Sequence, residues 1–182
     1  FNPVHIAHLI LASTIRRECG LDSVWFMISP LNPFKTGDRS LIDDRRRLDM
    51  LKLAVDPAPG LEVCDIELSM PRPSYTVDTL RRLSELYPDD RFSLIIGADN
   101  WNSFNRWRDP DEILSMVDRI YVYPRPGHEI SAPMPPKATV VDTPLLEISS
   151  TAIRKLIAAG EEVNFVVTDT VYKYIVKHNL YR

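Results

Sequence analysis

Short apolar runs alternate with amphipathic stretches along the 182 residues of the chain. The apolar runs contain few polar residues, which is typical of strands buried on both faces of a parallel sheet. The predicted strands cover residues 24–29, 61–68, 91–97, 119–123 and 138–142.

The intervening stretches place apolar residues at helical spacing. Predicted helices run from His8 to near Gly20 and over residues 43–55, 74–87, 109–117, 150–158 and 168–178. Their clearest buried stripes are formed by Leu48, Leu51, Val55, Leu80, Leu83 and Tyr87. Thr76 is the expected N-cap of the third helix. This alternation predicts an α/β fold with a doubly wound parallel sheet, in one domain over residues 1–182 that includes the C-terminal helices 150–182.

The segment FNPVH has the character of a strand exit, yet no strand stands before it. A natural chain also begins with methionine rather than with Phe1. We therefore expect that the natural protein carries a further short strand and a glycine turn ahead of this residue.

Composition and charge narrow the class of function. The net charge of −3 gives no basic field that would attract nucleic acid or a membrane surface. The run Arg45–Arg47 is balanced by neighbouring aspartates and is expected to be a solvated helix face. Cys19 and Cys64 have neither metal-ligand nor redox spacing, which favours a reduced, cytoplasmic compartment.

Two histidines three residues apart open the first predicted helix in FNPVHIAH. Residues at this spacing share a helix face, so His5 and His8 can point the same way from the first turn. That turn also presents backbone N–H groups and the positive end of the helix dipole, which together favour a bound phosphate. Two solvated surface histidines are the plain alternative, and a zinc site is less favoured because no cluster offers a third ligand.

A second group of donors lies in ISSTAIR, residues 148–154. Ser149, Ser150 and Thr151 supply hydroxyls and amides at a helix start, and Arg154 follows one turn later. Such a set suits phosphate oxygens, although a plain serine cap with a solvated arginine would give the same pattern.

Three further residues lie where predicted strands end, the edge at which α/β sheets bind ligands. Lys35 follows the prolines of PLNPFK, Asp99 follows Gly97 in GAD, and Trp107 lies in FNRW. Each has a plain alternative: a solvent-exposed lysine, a helix N-cap, and a core tryptophan on the following helix.

Together these motifs resemble the nucleotidyltransferase superfamily, which is marked by FNPVHIAH near the start and ISSTAIR near the end. The stretches PLNPFK, PSYTVDTL, LIIGAD, FNRW and VYKYIVKHNLY extend the resemblance, over nearly the whole chain, to bacterial nicotinate-nucleotide adenylyltransferases. Two features depart from that family. The two small residues that usually precede the phenylalanine are absent, and Ala7 stands where the family often has glycine.

The resemblance implies a Rossmann-like nucleotidyltransferase fold and adenylyl transfer from ATP to nicotinate mononucleotide. The residues implied to act on the reacting phosphates are His5, His8, Lys35 and Arg154. Those implied to bind ATP are Gly97, Asp99, Ser149, Ser150 and Thr151. Those implied to bind nicotinate mononucleotide are Asn2, Tyr75, Thr76, Trp107 and Arg108. Mg²⁺ would be held mostly by ATP and water rather than by a protein metal site.

Other readings stay open. The chain could be another adenylyl- or cytidylyltransferase, such as the pantetheine-phosphate enzyme, or a nucleotide-binding module without catalysis. PSYTVDTL and FNRW favour the pyridine-nucleotide branch, while the intact HIAH and ISSTAIR favour catalysis. The expected partners are small molecules, neither nucleic acid nor membrane is expected, and a homo-oligomer stays open.

Overall fold

A computed structural model describes residues 1–30 and 41–182 of the chain, so Lys35 lies outside the described residues. The described chain divides into two compact units. Unit 1 comprises Phe1–Pro71 and Leu146–Arg182, and unit 2 comprises Arg72–Leu145. The single domain expected over residues 1–182 stays a prediction.

Helices and strands alternate along the described residues, which confirms the α/β class. The helices are α1 (Ile6–Glu18), α2 (Asp44–Val55), α3 (Thr76–Leu86), α4 (Ala98–Trp101), α5 (Pro110–Met116), α6 (Ser150–Ala158) and α7 (Asp169–Lys177). The strands are β1 (Val24–Met27), β2 (Leu61–Cys64), β3 (Leu94–Gly97), β4 (Ile120–Tyr123) and β5 (Ala138–Val140). No helix in the described ranges is long and apolar enough to cross a membrane.

Every pairing between these strands is parallel, as predicted. In unit 1, β1 pairs with β2. In unit 2, β4 lies between β3 and β5. Parallel neighbours need crossover connections, and α2 lies between β1 and β2 along the chain, as α4 and α5 lie between β3 and β4.

Each unit has its own apolar core. In unit 1 fully buried residues come from α1, α2, α6 and α7, among them Ile15, Leu51, Ile153 and Val171. The core of unit 2 is formed by Val77, Leu80, Ile96, Trp101, Phe104, Ile113, Val117, Ile120 and Val122. Burial of these side chains is the main favourable contribution to folding.

The predicted strand over 61–68 is half as long in the structure and continues as a 3-10 helix over Ile66–Ser69. The strand ends early because of Pro30, which follows β1. The N–H of Ile28 donates to the carbonyl of Cys64 at 3.1 Å, but the next donor along that edge would be Pro30, which has no N–H. The carbonyl of Ile66 accepts instead from the hydroxyl of Ser69 at 2.8 Å.

Two further side chains differ from their predicted surroundings. Tyr87 was expected in the buried stripe of α3 but is exposed, because the helix ends at Leu86. Arg47 was expected on a solvated face but is only 3% exposed. Its guanidinium donates to the carbonyl of Ser29 at 2.8 Å and pairs with Asp44 at 2.6 Å, which compensates for the burial of its charge.

Val122 and Val140 allow a matched test of this core, since they are register partners on β4 and β5. Val122 is 0% exposed and Val140 is 48% exposed. Val122→Ala should lower the free energy of unfolding by about 2 kcal/mol, from lost burial and the cavity left behind. Val140→Ala should change it by less than about 0.5 kcal/mol. Urea denaturation measures both, and equal losses would contradict the core described for unit 2.

Candidate active site

The two histidines of HIAH meet at the start of α1. His5 is the N-cap, with extended backbone at φ −145° and ψ 169°. Its N–H donates to Nδ1 of His8 at 3.2 Å, and the two rings stack with centroids 3.7 Å apart. His5 is buried and His8 is half-buried, so the alternative of two solvated surface histidines is wrong.

This hydrogen bond determines which nitrogen of His8 can donate. Because Nδ1 accepts from the backbone N–H of His5, the proton of the neutral ring is on Nε2. The ring of Phe1 packs edge-on against His8 at 4.8 Å and helps to orient it. His8 therefore combines a restrained ring with a donor nitrogen, which suits an anionic oxygen.

The ISSTAIR segment begins α6 and lies against the residues that precede His5. Ser149 is the N-cap, and its hydroxyl accepts from the N–H of Ala152 at 3.1 Å. Ser150 donates to the carbonyl of Pro3 and Arg154 to the carbonyl of Asn2, each at 2.9 Å. The two motifs are thus brought together in unit 1, and Arg154 is not a solvated side chain.

Two of the residues predicted to bind phosphate therefore donate hydrogen bonds to backbone carbonyls. Ser150 uses its hydroxyl proton on Pro3, and one N–H of Arg154 bonds to Asn2. A guanidinium has five N–H donors in total, so this contact leaves Arg154 able to bind an anion as well. Thr151 is exposed in the first turn of α6.

Asn2, the residue before Pro3, is buried. Its side-chain oxygen accepts from the hydroxyl of Tyr181 at 3.0 Å. The sequence pattern gives no reason to select Tyr181, because only the fold brings the last turn of the chain to its second residue.

In unit 2, an ion pair lies beside Gly97 at the end of β3. Asp99 pairs with Arg125 at 2.7 Å. A Cβ atom at Gly97 would lie 2.6 Å from Oδ1 of Asp99 and 2.7 Å from Cδ of Arg125, so this pair packs where only glycine leaves room. Gly97 itself is the N-cap of α4, so the N-cap alternative for Asp99 is wrong.

Asp99 also has a carboxylate oxygen without a hydrogen-bond donor among the described residues. Its Oδ1 is buried and makes no hydrogen bond within the described part of the chain. A buried acceptor without a donor is costly, and such atoms are found where a ligand supplies the donor. The sequence pattern does not single out Arg125, although this residue lies just beyond β4, at the same kind of strand exit as Asp99.

The PSYTVDTL segment begins α3 differently from the prediction. Tyr75, not Thr76, is the N-cap, and Thr76 is the first helical residue. No side chain caps the helix, because the tyrosine ring cannot reach back to the first-turn amides as a hydroxyl or carboxylate would. Instead, Tyr75 packs under the guanidinium of Arg108, whose Cζ atom lies 4.9 Å from the ring centroid.

The FNRW loop lies beside this helix start. Trp107 follows the 3-10 helix Phe104–Arg106 and packs on Phe104 with ring centroids 5.4 Å apart, so it does not belong to the following helix. Its Nε1 is buried and has no partner among the described groups. Arg108 also bonds to Asp78 of α3 at 3.2 Å, which ties the loop to the helix. The four predicted residues 75, 76, 107 and 108 are thus gathered in unit 2.

Nothing in the described ranges gathers three or more His, Cys, Asp or Glu side chains as a metal site would. The starts of α1 and α6 offer N–H, hydroxyl and guanidinium donors, whose natural ligand is an anionic oxygen.

Comparison with known proteins identifies the family. The Cytidylyltransferase-like family model matches residues 1–156. A relative from Bacteroides fragilis, named "Probable nicotinate-nucleotide adenylyltransferase", is 46% identical over 97% of this chain and 88% of its own length. A relative of the same name from Cytophaga hutchinsonii is 41% identical over 100% of this chain and 94% of its own.

Solved structures share the fold. The nicotinic acid mononucleotide adenylyltransferase of Plasmodium falciparum, complexed with NaAD, has a TM-score of 0.80 at 21% identity and covers 100% of this chain and 93% of its own. The same enzyme complexed with APC has a TM-score of 0.79 at 21% identity, covering 100% and 92%. Fold, motifs and close relatives agree, and the chain therefore belongs to the nicotinate-nucleotide adenylyltransferase family.

Proposed function

We propose that this chain catalyses adenylyl transfer from ATP to nicotinate mononucleotide and that the starts of α1 and α6 bind the reacting phosphates. The products are nicotinate adenine dinucleotide, a precursor of NAD, and pyrophosphate. The observation that carries the assignment is the junction in unit 1, where Ser150 and Arg154 hold the chain that leads to His5. It unites two helix starts that are rich in donors.

The reaction needs no nucleophile from the protein. An oxygen of the 5′-phosphate of nicotinate mononucleotide attacks the α-phosphorus of ATP, the bond to the bridging oxygen breaks, and pyrophosphate leaves. Catalysis then consists of positioning and of stabilising the charge that develops on the phosphorus oxygens. The oriented Nε2 donor of His8 fits this role, with His5 holding the ring of His8 in place.

The leaving phosphates need further donors. We assign them to Arg154 and to the first turn of α6, Ser149 to Thr151, because hydroxyls and amides cluster there at the positive end of the helix dipole. Lys35 is proposed for the same phosphates on the strength of the family resemblance alone. ATP enters as its Mg²⁺ complex, in which the ion is held by phosphate oxygens and water.

Unit 2 supplies the contacts for the nucleosides. The buried Oδ1 of Asp99 suits a ribose hydroxyl donor, with Gly97 giving the room in which the Asp99–Arg125 pair packs. For the pyridine ring we propose stacking on Trp107, with the carboxylate held by the uncapped first turn of α3 at Thr76 and by the amide of Arg108. Backbone donors favour an acid over an amide, since an amide would present its own donors to them.

An acceptor panel tests the reaction. Purified protein with MgATP should release pyrophosphate fastest with nicotinate mononucleotide, because the donors at α3 match its carboxylate. Nicotinamide mononucleotide and phosphopantetheine are the comparison acceptors. Faster release with phosphopantetheine would place the chain in another branch, and no release with any acceptor would contradict catalysis.

His8→Ala tests the proposed donor. We expect kcat to fall by roughly 10²-fold or more, the scale of one lost transition-state donor, with little change in the melting temperature. His178→Ala is the matched control, because that histidine packs against Tyr174 at the end of α7, outside the proposed phosphate contacts. Near-normal turnover in His8→Ala would remove His8 from catalysis.

Gly97→Ala tests the nucleoside contact. The added methyl group would displace the Asp99–Arg125 pair. The KM for ATP should rise about tenfold, since a hydrogen bond to a charged group contributes ~1.5–3 kcal/mol. Gly160→Ala controls for general destabilisation, because its φ of +77° makes a side chain unfavourable at the end of α6. An unchanged KM in Gly97→Ala, measured by steady-state kinetics, would rule out the ribose assignment.

A further inference from the structure

The last turn of the chain returns to its second residue in unit 1. After α7, Asn179 and Tyr181 both adopt left-handed backbone, with φ of 51° and 64°. Between them Leu180 is buried, and its N–H donates to the carbonyl of Ile175 at 3.1 Å. The hydroxyl of Tyr181 is thereby brought within 3.0 Å of the side-chain oxygen of Asn2.

The backbone at Tyr181 needs a compensating contact. Left-handed backbone costs a residue with a bulky side chain about 1–2 kcal/mol and persists only where surrounding contacts hold it. The burial of Leu180 and the bond to Asn2 are the contacts that do so here. Burial also raises the pKa of the Tyr181 phenol, so this hydroxyl stays protonated and acts as a donor at neutral pH.

Asn2 is consequently held through both its backbone and its side chain. Its backbone carbonyl accepts from Arg154, and its side-chain oxygen accepts from Tyr181. The following carbonyl, that of Pro3, accepts from Ser150. These three bonds fix the chain at Asn2 and Pro3, just before the N-cap His5, whose backbone N–H in turn orients His8.

We propose that Tyr181 is a positioning residue for adenylyl transfer, acting through Asn2. The phenol occupies the side-chain oxygen of Asn2 and so determines which way the amide is turned. The same bond steadies the approach of the chain to α1 and hence the donor of His8. The inference rests on the proposed function and assigns Tyr181 to positioning rather than to substrate contact.

Tyr181→Phe and Tyr174→Phe form a matched pair for the test. Each removes one phenol hydroxyl from the C-terminal part of the chain. The hydroxyl of Tyr181 donates to Asn2 at 3.0 Å, and that of Tyr174 donates to Asp49 of α2 at 2.8 Å. Tyr181→Phe should lower kcat/KM for nicotinate mononucleotide about tenfold, the scale of one lost hydrogen bond, and leave the KM for ATP within about twofold. Tyr174→Phe should leave both constants unchanged.

A double-mutant cycle locates the effect. If Tyr181 acts through Asn2, Tyr181→Phe should change turnover little in an Asn2→Ala background. Full additivity, or equal effects of the two tyrosine variants, would overturn the proposal. A uniform loss of activity that merely follows a lower melting temperature would overturn it as well.

A measurement without substrate separates this inference from the proposed function. The side-chain NH₂ signals of Asn2 in ¹⁵N-labelled protein should shift in Tyr181→Phe and stay in place in Tyr174→Phe. If the wild-type protein were inactive with nicotinate mononucleotide while the signals shifted as expected, the proposed function would fail and the Tyr181–Asn2 link would stand. Unmoved signals in Tyr181→Phe would refute the link itself.

Discussion

The site in unit 1 depends on two backbone carbonyls being held from far along the chain. Those of Pro3 and Asn2 accept from Ser150 and Arg154, which are 147 and 152 residues away. Closing so long a loop costs conformational entropy, and the packing of α6 through Ile153 and Ile157 is what offsets it. These bonds help to fix the direction of the chain before α1 and the place of its N-cap histidine.

The helix starts differ in what their first-turn amides bind. In an ordinary N-cap, a serine or aspartate side chain accepts from the first-turn amides and uses up their capacity. At α1 the first-turn amides are engaged by backbone instead: the N–H of Ile6 donates to the carbonyl of Val166 and that of His8 to the carbonyl of His5, while the N–H of His5 donates to the ring of His8. At α3 no side chain caps the first turn. The uncapped first turn of α3 is therefore the start that best suits the carboxylate of the proposed ligand.

The sequence predicted the features that depend on local pattern. Apolar runs and helical stripes place the strands and helices within a few residues, and HIAH and ISSTAIR identify two donor-rich helix starts. What the pattern could not supply depends on contacts between distant segments. The shortening of β2 follows from Pro30 on its neighbour, and the burial of Arg47 follows from a carbonyl at Ser29. Arg125 and Tyr181 matter only through the residues that the fold places beside them.

The buried oxygen of Asp99 affects which ligands can bind, because it is already shielded from water in the free protein. Water has already been removed from this atom before any ligand arrives, so that part of the desolvation cost belongs to folding rather than to binding. A ligand with a hydroxyl there regains a lost hydrogen bond, whereas a ligand without one leaves the acceptor unsatisfied. On the proposed assignment, the site recognises ribose by the penalty it imposes on sugars that lack the hydroxyl, which is a stronger discriminator than shape alone.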